Sequence, residues 1–205
     1  VKKVLNQYAQ DQSTFIDYDI YDSKFSSYVS PINGEHQKDN LLLAIHAAKS
    51  LFDIDLNTIT KGIKNIIWPG RIQVLQLNPI VIFDVSHNVE SILSLCHYLA
   101  SKDYKGKKTL LISIQKTKQI NSTSSKLYSL FDHIICTQLN ERMYEADQLA
   151  SIFQLQEKIE KTSDPSSVIK SFINKSQKDD LLVIMGSHYW GDLINNYFKN
   201  FFDRN

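Results

Sequence analysis

A regular alternation beginning after Trp68-Pro69-Gly70 constrains this chain more than any other feature. Short β-rich apolar runs at 72–76, 80–84, 109–114, 133–137 and 181–185 are separated or followed by amphipathic stretches near 88–101, 121–131, 146–154, 165–175 and 188–202. Runs of that length need partners across a sheet, and the intervening helices must cover its faces. The pattern therefore predicts an α/β domain, doubly wound, with a mainly parallel sheet. Leu110-Leu111-Ile112 and Leu181-Leu182-Val183-Ile184 are apolar at every position, as strands covered on both faces should be. Ligands of such sheets sit at the C-terminal strand ends. Asp84, Ser113 and Gly186-Ser187 occupy those positions.

The chain before the break reads differently. Residues 14–30 carry the β-formers and alternation of a strand pair. From Gln37 to Phe52 the spacing turns helical, with Leu41, Leu42, Ile45, Ala48 and Leu51 on one stripe. A second helix is expected over Asp55–Lys64, with Asp55 and Asn57 as cap candidates. Pro69-Gly70 stops a helix and resets direction, which places a domain boundary near residue 67. The opening Val1-Lys2-Lys3-Val4 has no methionine and no apolar segment behind it, so the chain reads as starting within something longer and not as a secretory signal.

Charge and composition narrow the functional classes. A net charge of +1 gives no electrostatic basis for nucleic acid or an anionic membrane surface as partner. No apolar run reaches the ~18 residues a membrane span needs. Cys96 and Cys136 lie in apolar runs without metal-ligand spacing, which suits reduced, buried thiols of a cytoplasmic protein.

Three clusters carry possible chemistry. In Phe83-Asp84-Val85-Ser86-His87-Asn88 a strand runs into polar groups and then a helix. Asp84 could accept from a ribose and His87 could meet an anion, or Asp84 and Asn88 could organise the turn. In Trp68-Pro69-Gly70-Arg71 the arginine could clamp a phosphate through its fork of donors, or could lie on the surface beside a buried tryptophan. In Gly34-Glu35-His36-Gln37-Lys38-Asp39-Asn40 amide and imidazole groups open a helix, where they suit capping or recognition of a base. No zinc-ligand spacing, Gly-x-Ser-x-Gly elbow or Gly-x-Gly-x-x-Gly turn occurs.

Taken in order, His36-Gln37-x-x-Asn40 after Gly34, Trp68-Pro69-Gly70-Arg71, Asp84-x-x-His87-Asn88 and Gly186-Ser187 resemble the folylpolyglutamate synthase / dihydrofolate synthase branch of the Mur ligase superfamily. The resemblance covers nearly the whole chain. It implies that residues 1–66 are the tail of a central P-loop ATPase domain and 67–205 a C-terminal Rossmann-like ligase domain. It further implies an ATP-dependent ligase that activates a folate-type carboxylate, of folate or dihydropteroate, as an acyl phosphate and joins it to L-glutamate. ATP and Mg²⁺ are then the implied cofactors, with the metal ligands upstream of this chain, and the implied protein is a cytoplasmic monomer. By the same resemblance Asn40 would contact adenine with His36 and Gln37 nearby, Arg71 the phosphates and Asp84 the ribose. His87 would lie at the reacting centre, Asn88 would support the nucleotide loop, and Ser187 would face the glutamate.

Two departures stand out. Thr117-Lys118-Gln119 replaces a usual Asp-Lys-Asp, keeping Lys118 as a catalytic candidate without its carboxylates, and Val89 replaces the proline after His-Asn. No Gly-x-x-x-x-Gly-Lys-Ser/Thr loop occurs in the 205 residues, so the chain alone is expected to be inactive as a ligase. The alternatives are a non-catalytic Rossmann-like nucleotide-binding or interaction module, and another Mur-type amide ligase acting on a cell-wall precursor.

Overall fold

Apolar strands and their covering helices dominate the computed structural model, which describes residues 25–198. Most of the strand pair expected over 14–30 lies outside the described residues. Within them, Phe25–Val29 forms a turn closed by Tyr28 N–H to the Phe25 carbonyl at 3.1 Å, and not a strand. Alternation identifies side chains that could share a face; it does not supply the neighbouring strand that a ladder requires.

The described chain divides into two compact units. One contains residues 25–31 and 36–65. Its helix α1, His36–Leu51, buries Gln37, Leu41, Leu42 and Ile45. The expected stripe fails at its far end, where Leu51 is 75% exposed, because periodicity fixes which residues share a face but not how far a neighbour covers it. Helix α2, Leu56–Lys64, starts where Asp55 accepts the Thr58 N–H at 2.7 Å, as its sequence predicts.

The other unit contains Ile32–Glu35 and the chain from Ile66 onward. Its elements are β1 (Gln73–Leu77), β2 (Ile80–Asp84), α3 (Val89–Ala100), β3 (Lys108–Ile112), α4 (Asn121–Leu130), β4 (His133–Thr137), α5 (Ala146–Ser151), β5 (Ile159–Thr162), α6 (Pro165–Lys175), β6 (Leu181–Met185), a 3-10 turn His188–Trp190 and α7 (Gly191–Tyr197). They build a six-stranded sheet of order β1-β2-β6-β3-β4-β5, with β1 antiparallel to β2 and the rest parallel. Alternate residues of each strand serve opposite faces. Ile82, Leu110, Ile112, Ile134, Val183 and Met185 pack with Ile92, Leu95, Leu127 and Leu149 of α3–α5. Val81, Phe83, Leu111, Ile135, Leu182 and Ile184 pack with Ile169, Trp190 and Ile194 on the other side. Two-sided burial is why the central strands read as continuous apolar runs.

Three expectations are corrected. β5 was not foreseen: Ile-Glu-Lys-Thr is a four-residue strand at the sheet edge, where one side meets solvent and charges are tolerated. The helix expected over 188–202 starts as a 3-10 turn, because Trp190 is fully buried and its indole N–H donates to the Met185 carbonyl at 2.8 Å. Trp68, buried in the alternative reading of Arg71 as a surface residue, is 60% exposed. No helix among the described residues is long and apolar enough to cross a membrane.

The return of the chain from β5 to β6 sets the position of the site. β6 lies between β2 and β3, so the loops after these three strands meet at one edge. Register puts Asp84 beside Met185 and Met185 beside Ile112, and Ser113 N–H donates to the Met185 carbonyl at 3.2 Å. α3 leaves β2 toward one face, whereas the segment after β6 goes to the other. That divergence opens a crevice between them.

Candidate active-site cleft

The crevice is a cleft of about 290 Å³ lined by His87, Gln115, Gly186, Ser187, His188 and Tyr189. Gly186 makes it possible: its φ is 112°, and a Cβ there would collide with the Ser113 carbonyl oxygen. Ser187 is buried, and its hydroxyl accepts the Tyr189 N–H at 3.2 Å, starting the 3-10 turn. A larger groove of about 540 Å³ lies near the opposite strand ends, among Lys107, His133, Glu160 and Lys175. It contains none of the residues singled out by sequence.

Asp84 lies beneath the cleft and is 3% exposed. Its Oδ2 accepts Ile72 N–H at 2.8 Å, and its Oδ1 accepts Ser86 N–H at 2.8 Å and the Ser86 hydroxyl. Burial raises its carboxyl pKa, against these hydrogen bonds and the charge of Arg71, which lower it. The carboxylate ties together two stretches of chain: the turn carrying Arg71 and the turn carrying His87.

The Arg71 turn is unusual. Gly70 has φ 75°, and a Cβ there would stand 2.6 Å from Val85 Cγ1. Ile72 also has a positive φ of 45°, although it is β-branched and 3% exposed. Such a conformation costs about 1–3 kcal/mol and persists only where surrounding bonds enforce it. This is also why β1 begins at Gln73 and not at Ile72 as its sequence suggested.

His87 is partly buried, and its ring Nδ1–H donates to the Val85 carbonyl at 2.7 Å. In the neutral ring that bond leaves Nε2 with its lone pair. Asn88 caps α3: its Oδ1 accepts Ser91 N–H at 2.9 Å, while the Ser91 hydroxyl receives the Asn88 N–H at 3.3 Å. His188 has its pKa lowered by burial, then by the positive charges of Arg71 and His87. His188 thus feels both Arg71 and His87, and none of the six residues lining the cleft is acidic.

Sequence reading missed His188, Gln115, Tyr189 and Arg142. Arg142 Nη1 donates to the Tyr189 hydroxyl at 2.7 Å, and its guanidinium carbon stands 6.0 Å from the ring centre. Lys116 N–H donates to the Arg142 carbonyl at 3.0 Å, and Tyr144 N–H to the Ile114 carbonyl at 2.9 Å, so the loops after β3 and β4 are laced together. Only His188 had a sequence signal, as the neighbour of Gly186-Ser187. Lys118 lies partly buried in the loop after β3, its N–H donating to the Gln115 carbonyl at 2.9 Å, and does not line the cleft.

His36, Gln37 and Asn40 belong to the other unit and form their own network in the first turn of α1. The buried Gln37 donates to His36 Nε2 at 2.9 Å and accepts from Asn40 Nδ2 at 3.1 Å. Among the described residues no group of three His, Cys, Asp or Glu side chains could hold a metal ion.

Comparison with known proteins gives a consistent relationship. The family described as Mur ligase, glutamate ligase domain, matches residues 70–188. A probable bifunctional folylpolyglutamate synthase/dihydropteroate synthase of Halobacterium salinarum is 27% identical over 160 residues, 77% of this chain and 19% of that protein. The dihydrofolate synthase/folylpolyglutamate synthase of Bacillus subtilis is 24% identical over 170 residues, 77% of this chain and 38% of that protein. Among solved structures, Mycobacterium tuberculosis folylpolyglutamate synthase complexed with ADP shares the fold at a TM-score of 0.72 and 20% identity, covering 85% of this chain and 42% of that one. E. coli FolC in complex with DHPP and ADP does so at 0.68 and 22%, covering 82% and 39%. The chain thus spans less than half the length of each of these relatives. With a family match over more than half of its residues, the chain belongs to the Mur ligase family, of which it carries the glutamate ligase domain.

Proposed function

We propose that this chain is the C-terminal portion of an ATP-dependent ligase that joins L-glutamate to dihydropteroate or tetrahydrofolate through an acyl phosphate. In this reading residues 1–66 are the tail of the central ATPase domain, 67–205 form the ligase domain, and the enzyme works as a cytoplasmic monomer. The observation that carries it is the convergence of the loops after β2, β6 and β3, which gathers His87, Ser187 and His188 around one cleft with no acidic side chain in its lining. Relatives of similar name and fold have been solved with ADP, with AMPPNP and Mn, and with L-glutamate.

The reaction passes through a carboxyl phosphate and then through a tetrahedral centre formed by attack of an amine, so negative charge must be held throughout. Bound ATP supplies the phosphoryl group. Arg71 neutralises phosphate oxygens through its planar fork of donors. His87, its Nδ1 fixed on Val85, presents Nε2 to the incoming glutamate and takes the ammonium proton that must leave before nitrogen can attack. Ser187 and His188 hold the glutamate carboxylates from the β6 side, and Arg142 adds charge at Tyr189. Asp84, read from sequence as the ribose contact, has both carboxylate oxygens taken by Ile72 and Ser86, so it serves with Asn88 from beneath by holding these loops, with Lys118 in the adjoining loop. His36, Gln37 and Asn40 form the adenine-side contact in the other unit. Arg71, His87 and His188 suit an anionic nucleotide, and among the described residues no group of three His, Cys, Asp or Glu side chains provides a Mg²⁺ ligand set.

The test is ADP release by the full-length polypeptide. It should require both glutamate and a pteroate-type acceptor, and should be absent from the 205-residue chain alone. Release independent of glutamate sinks the proposal.

A further inference from the structure

Arg71 is fixed by its neighbours more firmly than a surface arginine requires. The residue after it, Ile72, is held in the left-handed region at φ 45°. A β-branched residue relaxes from that conformation unless both of its peptide groups are fastened. On one side Ile72 N–H is taken by Asp84 Oδ2 at 2.8 Å. On the other, the Ile72 carbonyl accepts Asn33 Nδ2 at 2.9 Å, from a residue 39 positions earlier. The preceding glycine is tied as well: the Gly70 carbonyl accepts Val85 N–H at 2.9 Å, and Gly70 N–H donates to Gln73 Oε1 at 2.9 Å. The side chain of Ile72 is sealed into the core beside α3. Asn33 belongs to the short segment Ile32–Glu35 that precedes α1 in the chain yet is part of this unit. No sequence motif marked it.

The geometry points to Asn33 as a positioning residue: with Asp84 it grips Ile72 from both sides, and this grip aims the Arg71 guanidinium. The inference rests on the reading that Arg71 meets the ATP phosphates. Asp84 anchors the amide and cannot be replaced without exposing two other donors, whereas Asn33 is exposed and contributes one bond at the far side. Loss of the Asn33 bond should therefore leave the fold intact, free the Ile72–Gln73 peptide and let Ile72 relax from its left-handed conformation, which shifts Arg71 beside it.

The experiment is a double-mutant cycle in the full-length ligase, with Asn33→Asp, which keeps the shape but removes the donor, and Asn33→Ala as a second, uncharged variant. Each should lower kcat/KM for ATP about three- to tenfold, the range of one lost hydrogen bond, with KM for glutamate unchanged. In an Arg71→Ala background neither should lower it further, because the effect runs through the arginine. Rates equal to wild type, or an equal loss with and without Arg71, overturn the inference. An Arg71→Ala enzyme as efficient as wild type with ATP removes the phosphate role of Arg71 itself, and the inference falls with it. That result is read from the single variant and is distinct from a failure of Asn33.

Discussion

Asp84 Oδ2 and the backbone N–H of Ile72 meet at 2.8 Å, joining the last residue of β2 to the strained turn twelve residues earlier. With the Ser86 bonds of the same carboxylate, this bond ties the Arg71 turn to the His87 turn. Replacing Asp84 with Ala leaves the Ile72 and Ser86 amides buried without acceptors, each at about 1–3 kcal/mol. Asp84→Ala should therefore lose about 2–6 kcal/mol of stability by denaturant titration. Asp84→Asn, which retains one acceptor oxygen, should lose less.

Asn88 separates capping from ligand contact. Its side chain is engaged with Ser91 at the start of α3. Asn88→Ala should cost about 1 kcal/mol in thermal or chemical unfolding, and Asn88→Ser should recover most of it. A role limited to the cap leaves KM for ATP within twofold of wild type in both variants.

His188 links stability to pH. Its folded pKa is lowered from 6.5, first by burial and then by Arg71 and His87, so the unfolded chain takes up the proton more readily. Its contribution is present above about 6.5 and is lost as pH falls through the lower folded value. Unfolding midpoints should drop between pH 8 and pH 5.5, and His188→Gln should reduce that drop.

Cys96 and Cys136 should be inert. Burial pushes their thiols up to about 11 and about 12, and both side chains are closed off in the core. A thiol reagent at pH 8 should label neither in the native protein and both after unfolding.

Residue chemistry alone made much of this fold legible. β2, β4, β6 and α6 stand where apolar runs and an amphipathic stretch place them, the strands because burial on both faces leaves an unmistakable composition. β5 stayed hidden because an edge strand can carry Glu160 and Lys161. At the site, the residues of single loops were readable, as with Asp84, His87 and Ser187. Arg142 beside Tyr189 and Asn33 beside Ile72 were not, since each pair is brought together by strand order and turn geometry over 47 and 39 positions of chain. Nothing in the local sequence announces a left-handed isoleucine.

The central claim is ligation through an acyl phosphate in this cleft. The most direct test uses the full-length protein with glutamate, ATP and an acceptor whose carboxylate carries ¹⁸O in both positions. The account predicts inorganic phosphate bearing one ¹⁸O and an amide product retaining the other, with Arg71→Ala and His87→Ala slowing both together. Amide product accompanied by unlabelled phosphate would contradict it.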